Sequence, residues 1–206
     1  MSYPLNLPNT NITRIRMVAR DLVGVATSPF TGTQQVYRHQ GQYWEADITL
    51  PPMKREDADA WTSFLLRLRG QYGTFLMGDP NAEIPRGSAS STPGTPVVNG
   101  GSQTGDELDI DGLPASVNGY LKAGDYIQLG SGSTATLHKV LEDVDTNGSG
   151  QATLNLWPKV RTAPTDNATV VVSSAKGQFR LNSNETTWDI DKASIYGITF
   201  GAVEAL

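Results

Sequence analysis

The sequence predicts a mainly β fold: a β-sandwich bearing one α-helix at about residues 54–69, with a small OB-like β-barrel or sandwich inserted. Three observations lead there. Turn-forming residues punctuate the chain, with 21 Gly and 12 Pro in 206 residues, as expected of short strands joined by tight turns. Between the turns, apolar and polar residues alternate with a period of two. One stretch, "MKREDADAWTSFLLRLRG", instead spaces its apolar residues by three and four.

In order along the chain, "ITRIRMVAR" places Ile15, Met17 and Ala19 on one face of a strand and Arg14, Arg16 and Arg20 on the other. "TQQVYRHQGQYWEADITL" reads as a hairpin around Gly41, with His39 at its tip. In its second arm Trp44, Ala46, Ile48 and Leu50 oppose Tyr43, Glu45, Asp47 and Thr49, the pattern of a half-buried strand. Pro51 and Pro52 end it, because proline donates nothing to a ladder.

The helix follows. Glu56, Asp57 and Asp59 suit the positive end of its dipole, Arg67 and Arg69 suit the negative end, and Gly70 is placed at C′. Ala58, Trp61, Phe64, Leu65 and Leu68 form one apolar stripe. A helix this short is marginal alone, so the stripe has to lie on a sheet. "QYGTFLMG" then returns to a strand.

Beyond Pro80 the composition shifts to Pro, Gly, Ser and Thr, which marks residues 81–105 as a linker or long surface loop. Short strands resume in "GDYIQLG", "TATLHKVLEDV", "QATLNLWPKV" and "ATVVVSS", a set of OB-like size. The last segments, "KGQFRLNS", "ETTWDID" and "SIYGITFGAV", return to longer strands. The first two read as a hairpin, and all three can complete the first sheet and cover its open edges. The resulting division is 1–80 plus 176–206, a linker at 81–105, and an inserted unit at 106–175.

Composition excludes several classes. The chain has no Cys, hence no disulfide, thiolate metal site or cysteine nucleophile. A net charge of −5 argues against a protein that grips nucleic acid phosphates. No secretory leader and no long apolar run are visible, so membrane insertion is not expected.

Candidate chemistry reduces to turns and wet faces. "DVDTNGSG" matches the first half of a calcium loop, but the twelfth position is Leu154 and the flanks read as strands, so it is expected to be a hairpin turn. "GSGSTA" lacks the helix that a dinucleotide phosphate needs. The two His, His39 and His138, give no nucleophile–base pair. Asp109 with Asp111, and Asp189 with Asp191, are spaced as on a solvated strand face. No catalytic residue, metal ligand or cofactor is expected.

Two stretches carry a resemblance. "YWEADITLPP", the helix ending "LRG" and "TFLMGDP" are similar to the N-terminal region of small tail proteins of long-tailed bacteriophages, through Trp44, Ala46, Ile48, Leu50, Pro51, Leu68, Arg69 and Gly70. "LKAGDYIQLG" and "LHKVLEDVDTNGSGQATLNLWPKVR" resemble a later segment of such proteins, through Gly124, Asp125, Tyr126, Leu137, His138, Gly150, Leu154, Pro158 and Arg161. Together they span a little over a third of the chain. Within the class, the distal tail protein fits best.

That resemblance implies a β-sandwich "belt" with one helix and a structural role in the virion. The implied subunit is made in the host cytoplasm and assembles as a hexameric ring at the tail tip or baseplate. The implied partners are further copies of itself, the tail tube protein, and hub, fibre or tape-measure proteins. The candidate subunit contacts are Arg14, Arg16, Arg20, His39 and Gly41. The alternatives are another minor tail or tail completion protein, or a carbohydrate-binding module using Tyr120, Tyr126 and Trp157.

Overall fold

The computed structural model describes residues 2–8 and 12–206; Met1 and residues 9–11, within the predicted first unit, lie outside it. The strands are β1 (Leu5–Asn6), β2 (Arg14–Thr27), β3 (Gln34–Thr49), β4 (Thr74–Met77), β5 (Val97–Val98), β6 (Gly105–Asp111) and β7 (Tyr126–Leu129). They continue with β8 (Thr136–Val140), β9 (Ala152–Val160), β10 (Val170–Val171), β11 (Gly177–Leu181), β12 (Trp188–Ile190) and β13 (Tyr196–Glu204). One α-helix, α1 (Arg55–Leu68), stands among them. The mainly β class with a single helix is therefore borne out.

A seven-stranded sheet runs β1-β4-β11-β13-β3-β2, with β12 added on β13. On its inner face the predicted alternation of Trp44, Ala46 and Ile48 is buried, and Phe75, Phe179, Ile198 and Ala202 of the neighbouring strands are buried beside it. The whole stripe of α1 is buried on this face. Trp61 meets Phe64 edge-on at 5.8 Å and Phe200 at 5.9 Å, and Phe64 meets Phe75 at 5.6 Å. Burying such aromatics contributes several kcal/mol each. The sheet thus supplies what a short helix lacks alone. The helix ends with Arg69 and Gly70 both left-handed (φ 55 and 65), and a Cβ on Gly70 would meet Asn184 at 2.7 Å.

The second sheet draws only on residues 97 to 171. Its order is β10-β7-β8-β9-β6-β5, and a bridge between Val97 and Thr169 brings its two ends together. The result is a nearly closed barrel filled by Leu108, Ile110, Leu121, Ile127, Leu154 and Tyr120. Segment 81–96, expected as linker, is stitched to this barrel. Ser88 and Ala89 N–H groups donate to Gly119 and Tyr120 carbonyls, Arg86 N–H donates to Asp125 Oδ1, and Ala89 is buried. Residues 97–98 and 105, within the expected linker, belong to barrel strands. Small residues there allow close backbone approach: a Cβ on Gly87 would sit on the Tyr120 carbonyl.

Two further expectations change. Gly41 is not a hairpin tip; it lies inside β3, and the turn is at 28–33. The ladder slips there, so that Leu22 faces residues 39–41 between the pairs Asp21–Gln42 and Val23–Arg38. A Cβ on Gly41 would lie 2.5 Å from Leu22 Cδ1. Glycine here serves a bulge rather than a turn, the other meaning a strand glycine carries. Likewise β11 and β12 do not pair as a hairpin. Both lie along β13, through Leu181–Ala202 and Trp188–Ile198, and β12–β13 is the hairpin.

Candidate interaction surface

The β2–β3 hairpin divides at the bulge. Its inner half has a core face and, on the opposite side, a ladder of charge. Arg16 pairs with Asp47 at 3.5 Å and Arg20 Nε donates to Glu45 at 2.9 Å, the latter pair raising the Arg20 pKa. Two members of the predicted arginine stripe, Arg16 and Arg20, are thus matched by acids on the neighbouring strand, while Arg14 lies opposite Thr49. Being exposed, such pairs are screened by solvent and contribute little to stability.

At the bulge the hairpin is clamped to the barrel. Gln42 Nε2 donates to Asp21 Oδ1 at 2.7 Å, and Trp157 Nε1 donates to both Asp21 oxygens at 3.2 Å. Lys159 N–H donates to Gln42 Oε1, and Trp44 Nε1 donates to the Leu137 carbonyl. Arg161 reaches Glu204 through two nitrogens at 2.9 Å, and Trp44 N–H donates to the same carboxylate. Glu204 is buried, so this pair carries weight through the cost of leaving either member alone. One more tie, Arg38 to both oxygens of Asp106 at 2.9 and 3.0 Å, holds the next rung.

Past Arg38 the hairpin stands in solvent. Val23, Val25 and Val36 lie on one face; Leu22, Ala26 and Tyr37 lie on the other. Both faces are open: Val25 is 57%, Val36 62% and Phe30, in the turn, 93% exposed. Between Asp21 and Arg38 no residue is charged. Exposed edge strands are ordinarily guarded by charge, proline or coverage. Here Pro29 alone interrupts a 16-residue neutral run (22–37), and it sits in the turn. A two-stranded ribbon of this kind is marginal in water by itself.

The sequence candidates are dispersed. Arg14, Arg16 and Arg20 lie on the inner ladder, His39 on the exposed bulge and Gly41 inside the strand. Tyr120 is wholly buried in the barrel, its hydroxyl donates to the Pro93 carbonyl at 2.7 Å, and burial pushes its pKa up to about 12. Tyr126 is buried against Trp44, with Lys139 Nζ 4.6 Å above its ring. Trp157 packs edge-on against Trp44 at 4.4 Å. These three rings are core and seam, not a shared exposed platform, so the glycan-contact reading of them is withdrawn. What sequence reasoning missed was the outer hairpin. Its available signal was the absence of charge from 22 to 37.

His138 is buried, with Nδ1 2.6 Å from the Pro158 carbonyl and Nε2 2.9 Å from Thr136 Oγ1. The carbonyl requires Nδ1 to carry the proton, leaving Nε2 to accept from Thr136. Burial, aided by the positive Arg161, pushes the ring pKa down to about 4. Asp143 accepts from Lys122 Nζ and Ala123 N–H, and Asp145 accepts from Gly119 N–H, so the calcium-like acids tie turns together. The Gly130–Ala135 segment is a short turn joining β7 to β8. Among the described residues no three His, Asp or Glu side chains cluster as a metal site would require. Nor is any helix among them long and apolar enough to cross a membrane. No family model matches the chain, and no curated protein matches it significantly.

Proposed function

We propose that this chain is a structural subunit of a long-tailed bacteriophage tail tip, assembling with its own copies into a hexameric ring. The ring joins the tail tube to the hub, fibre or baseplate and acts in the virion, with no catalytic step. The observation that carries this reading is the outer hairpin: neutral, with apolar side chains on both faces and uncovered by the described residues of its own chain. An element of that kind is stabilised by a partner surface rather than by its own core. The resemblance carried by Trp44, Ala46, Ile48, Leu50 and Leu68-Arg69-Gly70 supports the class of assembly, since these residues build the sheet–helix layer from which the hairpin extends.

Light scattering combined with negative-stain imaging tests it. The expected result is a closed annulus of about six times the 22.1 kDa chain mass. A monomer at every concentration, alone and with purified tube protein, would overturn the reading.

A further inference from the structure

We propose that the outer hairpin of one copy docks on the free edge of β12 in a second copy, head to tail; this rests on the ring reading above. The two surfaces are incomplete in matching ways. Among the described residues, β2 and β3 beyond the bulge pair only with each other, leaving two unpaired edges. Among the described residues, β12 has β13 as its single strand partner and an open second edge. All three of its residues are exposed, with Trp188 at 37% and Ile190 at 55%. A strand edge with apolar side chains and a neutral apolar ribbon are complementary both in backbone hydrogen bonds and in side chains.

Their placement keeps them apart within one chain. β13 pairs with β3 through residues 45–49, and β12 lies beyond, on residues 196–198. The outer hairpin lies off the other end of β3. From Val36 to Thr49 the strand covers about 40 Å at ~3.3 Å per residue, so a chain cannot satisfy its own β12 edge. Two different patches at opposite ends of one sheet define a heterologous contact, which closes into a ring when its rotation permits and otherwise runs as a filament.

The size of the hairpin also fits. Every residue from 22 to 40 is exposed or half-exposed, and so is every residue from 182 to 197 around β12, so each patch approaches the roughly 20 residues per side of a standard interface.

The absence of cysteine makes the contact directly testable in the full chain. Single variants Val25→Cys and Ile190→Cys are mixed and oxidised. The expected product is a disulfide dimer containing one of each, formed at least tenfold faster than either variant forms dimers with itself. In parallel, Val25→Asp combined with Val36→Asp is expected to raise the concentration for half-assembly at least tenfold while thermal unfolding of the monomer is unchanged. Annuli that form without the mixed dimer, or that survive the double Asp variant, would overturn the docking while leaving the ring reading in place. Mixed dimers with open filaments would uphold the docking and overturn the ring. A chain that never associates overturns both.

Discussion

The two halves of the β2–β3 hairpin share one backbone ladder and one alternating pattern, yet they are held by different physics. The inner half, 14–21 against 42–49, buries Trp44, Ala46 and Ile48 under α1 and faces solvent with arginine–acid pairs. The outer half, 22–27 against 34–38, continues the alternation with Val23, Val25 and Val36, and among the described residues nothing covers them. Alternation therefore records which residues share a face. It does not record whether that face has a partner in the same chain.

Substitutions under the inner half should have the largest effect. Trp61→Ala removes the ring between Phe64 and Phe200 and is expected to cost about 3–5 kcal/mol. Thermal unfolding would then shift down by roughly 10 °C. A shift of only a degree or two would mean that the helix is not what fixes the inner sheet. At the boundary, Arg161→Met leaves Glu204 buried without its charge partner, with only the Trp44 N–H of its described donors remaining, and is expected to cost about 3 kcal/mol in denaturant titration. Restoring most of that loss with Glu204→Gln in the same chain would identify the uncompensated charge as the cause.

A comparable but pH-dependent effect is expected from His138. The unfolded ring takes a proton near 6.5 and the folded one near 4. Its contribution is therefore fully present above pH 6.5 and falls away as pH drops toward 4, by about 3 kcal/mol. His138→Gln should flatten the stability–pH curve across that window. An unchanged slope would place the titration elsewhere.

The smallest stability effect belongs to the outer half: Val25→Asp should change monomer unfolding by less than about 0.5 kcal/mol. A large loss would show that the outer hairpin is packed within its own chain.

Legibility follows the same divide. The inner strand face, the helix stripe and the C′ position of Gly70 are readable because each is a local pattern with a local cause. The charge ladder needs the register: Arg16 and Asp47 are both plain in the sequence, but only pairing makes them neighbours. Gly41 reads as a turn because a turn and a bulge both favour glycine, and only Leu22 across the ladder distinguishes them. Barrel closure by the two-residue strands β5 and β10 is too short to leave a period. Tyr120, Tyr126 and Trp157 admit a surface reading beside the commoner core one, because an aromatic on a strand carries no mark of which side is covered.

Amide hydrogen exchange, followed by residue in dilute and in concentrated protein, tests the central claim most directly. Slow exchange is expected at 43–49 under both conditions. At 22–27 and 34–38 exchange should be fast in the dilute chain and at least tenfold slower on assembly. Equal protection of the outer hairpin at all concentrations, with the protein shown to assemble, would contradict the claim that a second copy is what covers it.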